Sequence, residues 1–350
     1  MIGTYKAEDV TLLLKDITGM VEPLGTAERE KRIQSGTHYS EMLPIEYAPS
    51  PVYMKTYEDA LHRYAKMTAD AVAAVSEKIW AEKGKAAALV SLARAGISIG
   101  VLIKRYIKAK YGADIAHYAI SIIRGRGIDH NAMAYILERH APADIQFVDG
   151  WTGKGAIQRE LDKAMLDYPG VSSGLAVLSD PAHLAEKYGT RNDFLIVSSC
   201  LNSTISGLLS RTFYRSDVIA DDEFHGAVYY AELMGEDRTY EFIDAVEAYF
   251  DRVSLEEKAE TSYAVTAAEE VAELCRVFEI RDVNLVKPSI GEATRVLLRR
   301  MPWKILVHSL NDEEHLGHIY QLAKEKDVPL IEYPLVNYRA CGLIRSLADS

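Results

Sequence analysis

The residues with the clearest chemical potential are Asp149-Gly150-Trp-Thr152-Gly153-Lys154-Gly155-Ala156, preceded by Ile145-Gln-Phe-Val and followed by Ile157-Gln-Arg-Glu160. β-Branched and aromatic residues lead to an Asp, a glycine-rich loop follows, and helix-forming residues come next. That order predicts a strand, a loop and a helix N-terminus. Glycines let backbone N–H groups curl around an anion, and the helix dipole adds partial positive charge there. Thr152 offers a hydroxyl, Lys154 a full charge, and Asp149 a carboxylate at the strand's carboxyl end. Phosphate binding is the chemistry indicated. The pattern Gly-x-x-x-x-Gly-Lys-Ser/Thr is absent, so this is not a P-loop. A plain glycine turn is the competing reading.

Four further groups could act with it. Arg94, in Leu92-Ala-Arg94-Ala95-Gly96, would pair with an anion held over a helix start. Arg124-Gly125-Arg126-Gly127-Ile128-Asp129 is a flexible cationic turn. Asp180 lies in a Ser-Asp-Pro turn. His38, Tyr39 and Glu41 lie in the Pro-, Gly- and Ser-rich stretch 34–51, which has no periodicity of its own. Such a loop suits a substrate-facing cluster, or an arm covering apolar surface. Cys200 opens the hydroxyl-rich run 198–212, which could start a buried helix capped by Ser198, Ser199 and Asn202. Its neighbours mark no activating partner, and a lone Cys is usually a small buried hydrophobe.

These groups need a frame. Apolar spacing predicts a helix over 57–81, a strand over 86–91, a helix over 97–110, a strand over 117–123 and a helix over 131–140. The strand ending at Asp149 comes next, then a helix over 157–167 and strands over 174–178 and 194–197. Residues 224–256 read as helices with Tyr-rich packing faces, and the charged stretch 255–270 as a link. Strands alternating with helices imply a mainly parallel sheet covered on both faces. Ligands sit beyond the carboxyl ends of such strands, where Arg94, Arg124, Asp149, the 152–156 loop and Asp180 all fall. From 283 onward a helix near Glu292, a strand over 304–307, a helix over 312–326 and a strand over 328–333 form a small α/β/α unit. Two domains result, 1–262 and 275–350.

Composition narrows the class. The 350 residues carry a net charge of −11, which argues against an anionic membrane or nucleic acid coating the whole molecule. Apolar runs fall short of a membrane span of about 20 residues, and the N-terminus lacks a secretory pattern. Cys200, Cys275 and Cys341 form neither a disulfide framework nor a zinc cluster, which suits a reducing cytoplasm. Residues 281–350 hold ten Lys and Arg against nine Asp and Glu, where the remainder holds 30 against 42. That asymmetry points to nucleic-acid contact by the tail alone, or to a solvated arginine face.

The stretch 88–96 with Phe147-Val-Asp149-Gly-Trp-Thr-Gly-Lys-Gly-Ala156 resembles a type I phosphoribosyltransferase. The whole chain resembles more closely a bacterial family found with tellurium-resistance and stress-response genes. Its members join a phosphoribosyltransferase-like domain to a C-terminal Pelota-type RNA-binding domain of L7Ae-like fold. His38-Tyr-Ser-Glu-Met-Leu-Pro44, Arg124 to Asp129, Leu201 to Thr212 and Gly291 to Arg300 carry that likeness. The resemblance implies transfer of a phosphoribosyl group from 5-phosphoribosyl-1-pyrophosphate (PRPP), with Mg²⁺, to a base-like acceptor. Asp149 would hold the ribose and the metal, and the 150–156 loop the 5-phosphate. Arg94, Ala95 and Gly96 would meet the pyrophosphate, with Arg124 and Arg126 as further cations. His38, Tyr39, Glu41 and Asp180 would face the acceptor. Lys287, Arg295, Arg299 and Arg300 would bind RNA, and a homodimer is compatible. One departure is that Gly150 stands where that enzyme class shows a second acid. The same family carries a cysteine-protease label (StiP), which would need Cys200 with His225 or His183. A third reading is a non-catalytic protein that senses PRPP or a nucleotide and binds RNA.

Overall fold

The computed structural model describes residues 2–49, 51–255 and 265–344. Six strands form one parallel sheet: β1 (Thr11–Leu12), β2 (Ala88–Leu92), β3 (Ala116–Ile120), β4 (Ile145–Val148), β5 (Leu175–Ser179) and β6 (Lys187–Thr190). Their order is β1-β3-β2-β4-β5-β6. After β2 the chain pairs β3 on one side and β4 on the other, so a switch-point crevice opens beyond β2 and β4. Arg94 follows the first of these strands and Asp149 the second.

After the short α1 (Thr26–Gln34), helices α2 (Pro51–Lys83), α3 (Ala95–Tyr111) and α6 (Thr239–Glu247) share a core with Leu89, Val148, Ala176 and Leu178. Helices α4 (His130–Leu137) and α5 (Ala156–Ala164) share another with Val90, Leu92, Phe147 and Val177. Neighbouring strand residues thus feed opposite layers, as the two-residue repeat of a strand requires. Helix α3 lies so close to the sheet that a Cβ on Gly100 would collide with Ser91 and His117. Ser91 Oγ and His117 Nε2 are 2.7 Å apart, and His117 Nδ1 is 2.7 Å from the Asp9 carbonyl oxygen. Burial pushes the His117 imidazole down to about 4, so a neutral ring ties the N-terminal lead-in to the sheet.

Several expected elements differ. Residues 194–197 are not a strand: they are buried, and Val197–Ser199 is a 3-10 turn. The edge position belongs to β6, where Gly189 packs against the backbone of α2 at Ala71. The run 198–212 forms turns rather than a helix start, and of the expected helices over 224–256 the described residues 224–255 hold a single α-helix, α6, with a two-residue strand and 3-10 turns. The predicted link at 255–270 includes residues 256–264, which lie outside the described residues. Among the described residues, no helix is long and apolar enough to cross a membrane.

The small C-terminal unit has strands β7 (Val286–Pro288), β8 (Pro302–Val307), β9 (Leu330–Glu332) and β10 (Ala340–Ile344), ordered β7-β10-β8-β9. Around them lie α7 (Ala267–Val277), α8 (Ile290–Arg299) and α9 (Glu313–Glu325). Ile290, Ala293, Val296 and Leu297 of α8 belong to the same apolar cluster as α2 and α3, so the core runs on from the main sheet. Buried Asp193, before the run 194–197, accepts from the backbone N–H of Ile290 at 3.0 Å and of Arg339 at 2.9 Å. A carboxylate from the main part thus caps α8. Burial nevertheless raises the Asp193 carboxyl to about 7.

Candidate functional site

Two of the expected clusters meet. Tyr39–Glu41 is a 3-10 turn whose His38 cap leans on the Arg124 turn. His38 Nε2 lies 3.1 Å from the Arg124 carbonyl oxygen, and the Arg124 N–H donates to the Tyr39 hydroxyl at 2.9 Å. Arg126 is paired with Glu41. Glu160 of α5 accepts the Gly125 and Gly127 amides at 2.8 and 3.1 Å. Burial, and then the Arg126 cation, lowers the His38 imidazole below its usual range, so it is held neutral. The arm and the cationic turn are therefore one unit.

The glycine loop is covered by the C-terminal unit. Trp151 lies under the Arg295 guanidinium at 4.6 Å, and Tyr338 donates to the Gly153 carbonyl at 2.9 Å. Lys154 donates to the carbonyls of Val283 and Val286. Burial and the Lys287 and Arg124 charges push the Lys154 ammonium down to about 8. Thr152 donates to buried Asp180, which also accepts the Leu184 and Ala185 amides and pairs with Arg191. Gly155 has a φ of 75° before the first turn of α5, which begins at Ala156. Asp149 is half-buried and accepts from the Gly150 N–H at 2.8 Å. Burial outweighs that bond and the Arg295 charge, raising its carboxyl to about 6. The start of α3 at Ala95 and Gly96 presses on the same spot: a Cβ on Gly96 would sit 2.6 Å from the Val148 carbonyl oxygen. No group of three or more His, Cys, Asp or Glu that could hold a metal occurs among the described residues.

Arg94 is placed elsewhere than over a phosphate loop. It donates to the Leu209 carbonyl at 2.6 Å and to Asn202 Oδ1 at 3.1 Å, with Glu46 at 3.4 Å. It therefore organises the run 198–212, which holds Cys200. That residue is 3% exposed and packs beneath α2, where Tyr53 donates to its carbonyl. The Tyr57 and Tyr64 hydroxyls lie in its neighbourhood. The Tyr64 ring meets His318 of α9 edge-on, 6.3 Å between centroids. His318 Nε2 lies 3.0 Å from Thr294 Oγ1, its Nδ1 has no hydrogen-bond partner among the described residues, and burial pushes the ring down to about 3. His225 bonds instead to Ser121 at 2.9 Å, and His183 belongs to the Asp180 turn. Cys341 is buried in β10, and its thiol is driven above its ordinary range by burial.

Of the expected RNA-binding residues, Lys287 and Arg295 are half-buried against the glycine loop and Arg300 is exposed. The Arg299 side chain lies outside the described residues. Residues that sequence reading passed over are Asp193, Tyr64, His318 and Arg211. Periodicity flags apolar faces, and a polar residue that turns inward leaves no such signal.

A main parallel sheet with a cysteine-bearing loop at its carboxyl edge, docked to a small α/β unit, defines the class of molecule. Residues 3–247 match the family described as tellurite-like stress resistance cysteine protease StiP, and residues 265–346 match the PELOTA RNA binding domain. The protein named cysteine protease StiP from Acinetobacter baylyi is 37% identical over 367 residues, covering 99% of this chain and 94% of that protein. The chain belongs to the StiP family. The expectation of a phosphoribosyltransferase, a pentosyltransferase using PRPP, is thereby corrected: the family and the relative are named as a cysteine protease, a hydrolase. A strand, glycine loop and helix in series describe a sheet edge fit for ligands, and a shared edge does not carry a shared reaction.

Proposed function

We propose that this chain is a cysteine-dependent peptide hydrolase of the stress response with Cys200 as nucleophile, joined to a C-terminal domain that binds RNA. The observation that carries the reading is positional. Cys200 is the one cysteine of the sequence within residues 3–247, the span matched to a family named for a cysteine protease. In the reaction the Cys200 thiolate attacks the scissile carbonyl carbon, and the amide nitrogen takes a proton and leaves as the amine. Water then hydrolyses the thioester and returns the thiol. Arg94 would hold the loop in place through Asn202 and Leu209.

The test is hydrolysis of a peptide library by the full chain, with labelling by a thiol-directed probe. Cys200→Ser should abolish turnover and labelling at that position, whereas Cys275→Ser should leave both intact. Turnover that survives in Cys200→Ser would sink the reading.

A further inference from the structure

The protein keeps most of its half-buried cations in contact with carboxylates or carbonyls, and one place departs from that. Arg211 is half-buried, and among the described residues its guanidinium has no hydrogen bond and no carboxylate partner. Its neighbours are cations: Arg29, Arg94 and Arg300 all press on it electrostatically. The remaining contact is Tyr39, whose ring centre lies 5.7 Å from the Arg211 guanidinium carbon and 5.8 Å from that of Arg124. Arg300 also acts on Lys287, which feels Arg124 in turn. Arg211 and Arg124 thus flank one ring, Arg124 reaches Asn284 of the C-terminal unit at 3.3 Å, and Arg300 and Lys287 lie within electrostatic reach, so basic groups from both parts gather at the junction. Carboxylates are present at its margins and are largely engaged: Glu46 with Arg94, Glu160 with the Gly125 and Gly127 amides. Glu292 and Asp282 face Lys287.

Like charges held together without counter-charge are costly in a partly dehydrated site. A singly charged carboxylate would leave most of these charges uncompensated. A phosphate group brings up to two charges and several acceptor oxygens, and guanidinium forks match its geometry. We propose that this junction is a binding site for a phosphate group, centred on Arg211 and completed by Arg300 and Lys287 from the C-terminal unit. The ligand is a small phosphorylated molecule or a phosphate of RNA, and in either case both parts of the chain grip it. The site is independent of peptide hydrolysis at Cys200.

The experiment uses the full chain with two probes, inorganic phosphate and a short single-stranded RNA, read by thermal shift and by titration. Wild type should melt at higher temperature as either probe is added. Arg211→Gln should lose roughly tenfold or more in affinity, the scale of a lost charged hydrogen bond. Lys287→Gln, in the C-terminal unit, guards against a folding defect in the first variant, and the exposed Arg252→Gln serves as control. A purely structural Arg211 would lower the melting temperature of the unliganded protein when replaced. A ligand-binding one leaves it unchanged or raises it while removing the response to probe. A response to phosphate alone identifies a small ligand, and a response to RNA that falls in the variants identifies an RNA phosphate. Equal responses in wild type, Arg211→Gln and Lys287→Gln to both probes would overturn the site.

Discussion

Arg105 and Arg211 are the same residue type, both partly buried, and their surroundings are opposite. Arg105 projects from α3 onto Asp9 at 2.8 and 2.9 Å, with Asp244 at 3.1 Å and Glu247 also paired. Its bonds to Asp9 are the largest influence, and its guanidinium holds its proton more tightly than usual. Arg211 is surrounded by arginines, and burial followed by those charges pushes it down to about 10. The first cation is satisfied inside the chain and ties the N-terminal lead-in to α3 and α6. The second has a charge whose compensation lies outside the chain. A half-buried arginine therefore reports structure or ligand according to what faces it, and residue type alone does not distinguish the two.

The comparison can be broken most directly at its structural side. Arg105→Ala leaves Asp9, whose side chain is 6% exposed, without its cation. Urea denaturation should show a loss of about 2–4 kcal/mol, below the fully buried range because Arg105 itself is partly wet. A loss under about 1 kcal/mol, the scale of an exposed pair, would mean that Asp9 is satisfied without Arg105.

A smaller effect is expected at Asp149, beside Arg295 in the same junction as Arg211. Its folded-state carboxyl is raised to about 6, above the unfolded value near 4, so ionising it costs the folded state. That cost is absent below about pH 4 and grows as pH rises through 6. Asp149→Asn keeps an acceptor for the Gly150 N–H and removes the charge. Thermal melts across pH 4–8 should find it equal to wild type at the acid end and about 1–2 kcal/mol more stable at pH 8. The reverse trend would show that Arg295 wins over burial.

The smallest change is expected from Arg211→Gln without added anion, within about 0.5–1 kcal/mol of wild type and upward in sign. A loss as large as that of Arg105→Ala would erase the distinction between the two arginines.

Much of the frame was readable in advance because strands and helices impose periods on apolar residues. Strand β4 appears where its β-branched run predicts, and α2, α3 and α9 differ from expectation mainly at their ends. The parallel sheet followed from the alternation of these segments, and Arg94, Asp149 and Asp180 do fall beyond strand ends. The run 194–197 misled because a short apolar stretch reads alike as a strand or as a buried turn. Strand β1, two residues long, carries too little pattern to be seen.

The side-chain partners were not readable. Lys154 has the composition of a phosphate ligand, and only the docking of β7 turns it toward backbone carbonyls. His318 and Tyr64 are far apart in sequence, and α9 and α2 bring their rings edge to edge. Sequence determined the elements, because propensity and periodicity act over neighbouring residues. Tertiary structure decided which charges are paired, which lie bare at the junction and which thiol is buried beneath α2. Those contacts join residues that no local pattern links, and burial sets their energies only once the chain has folded.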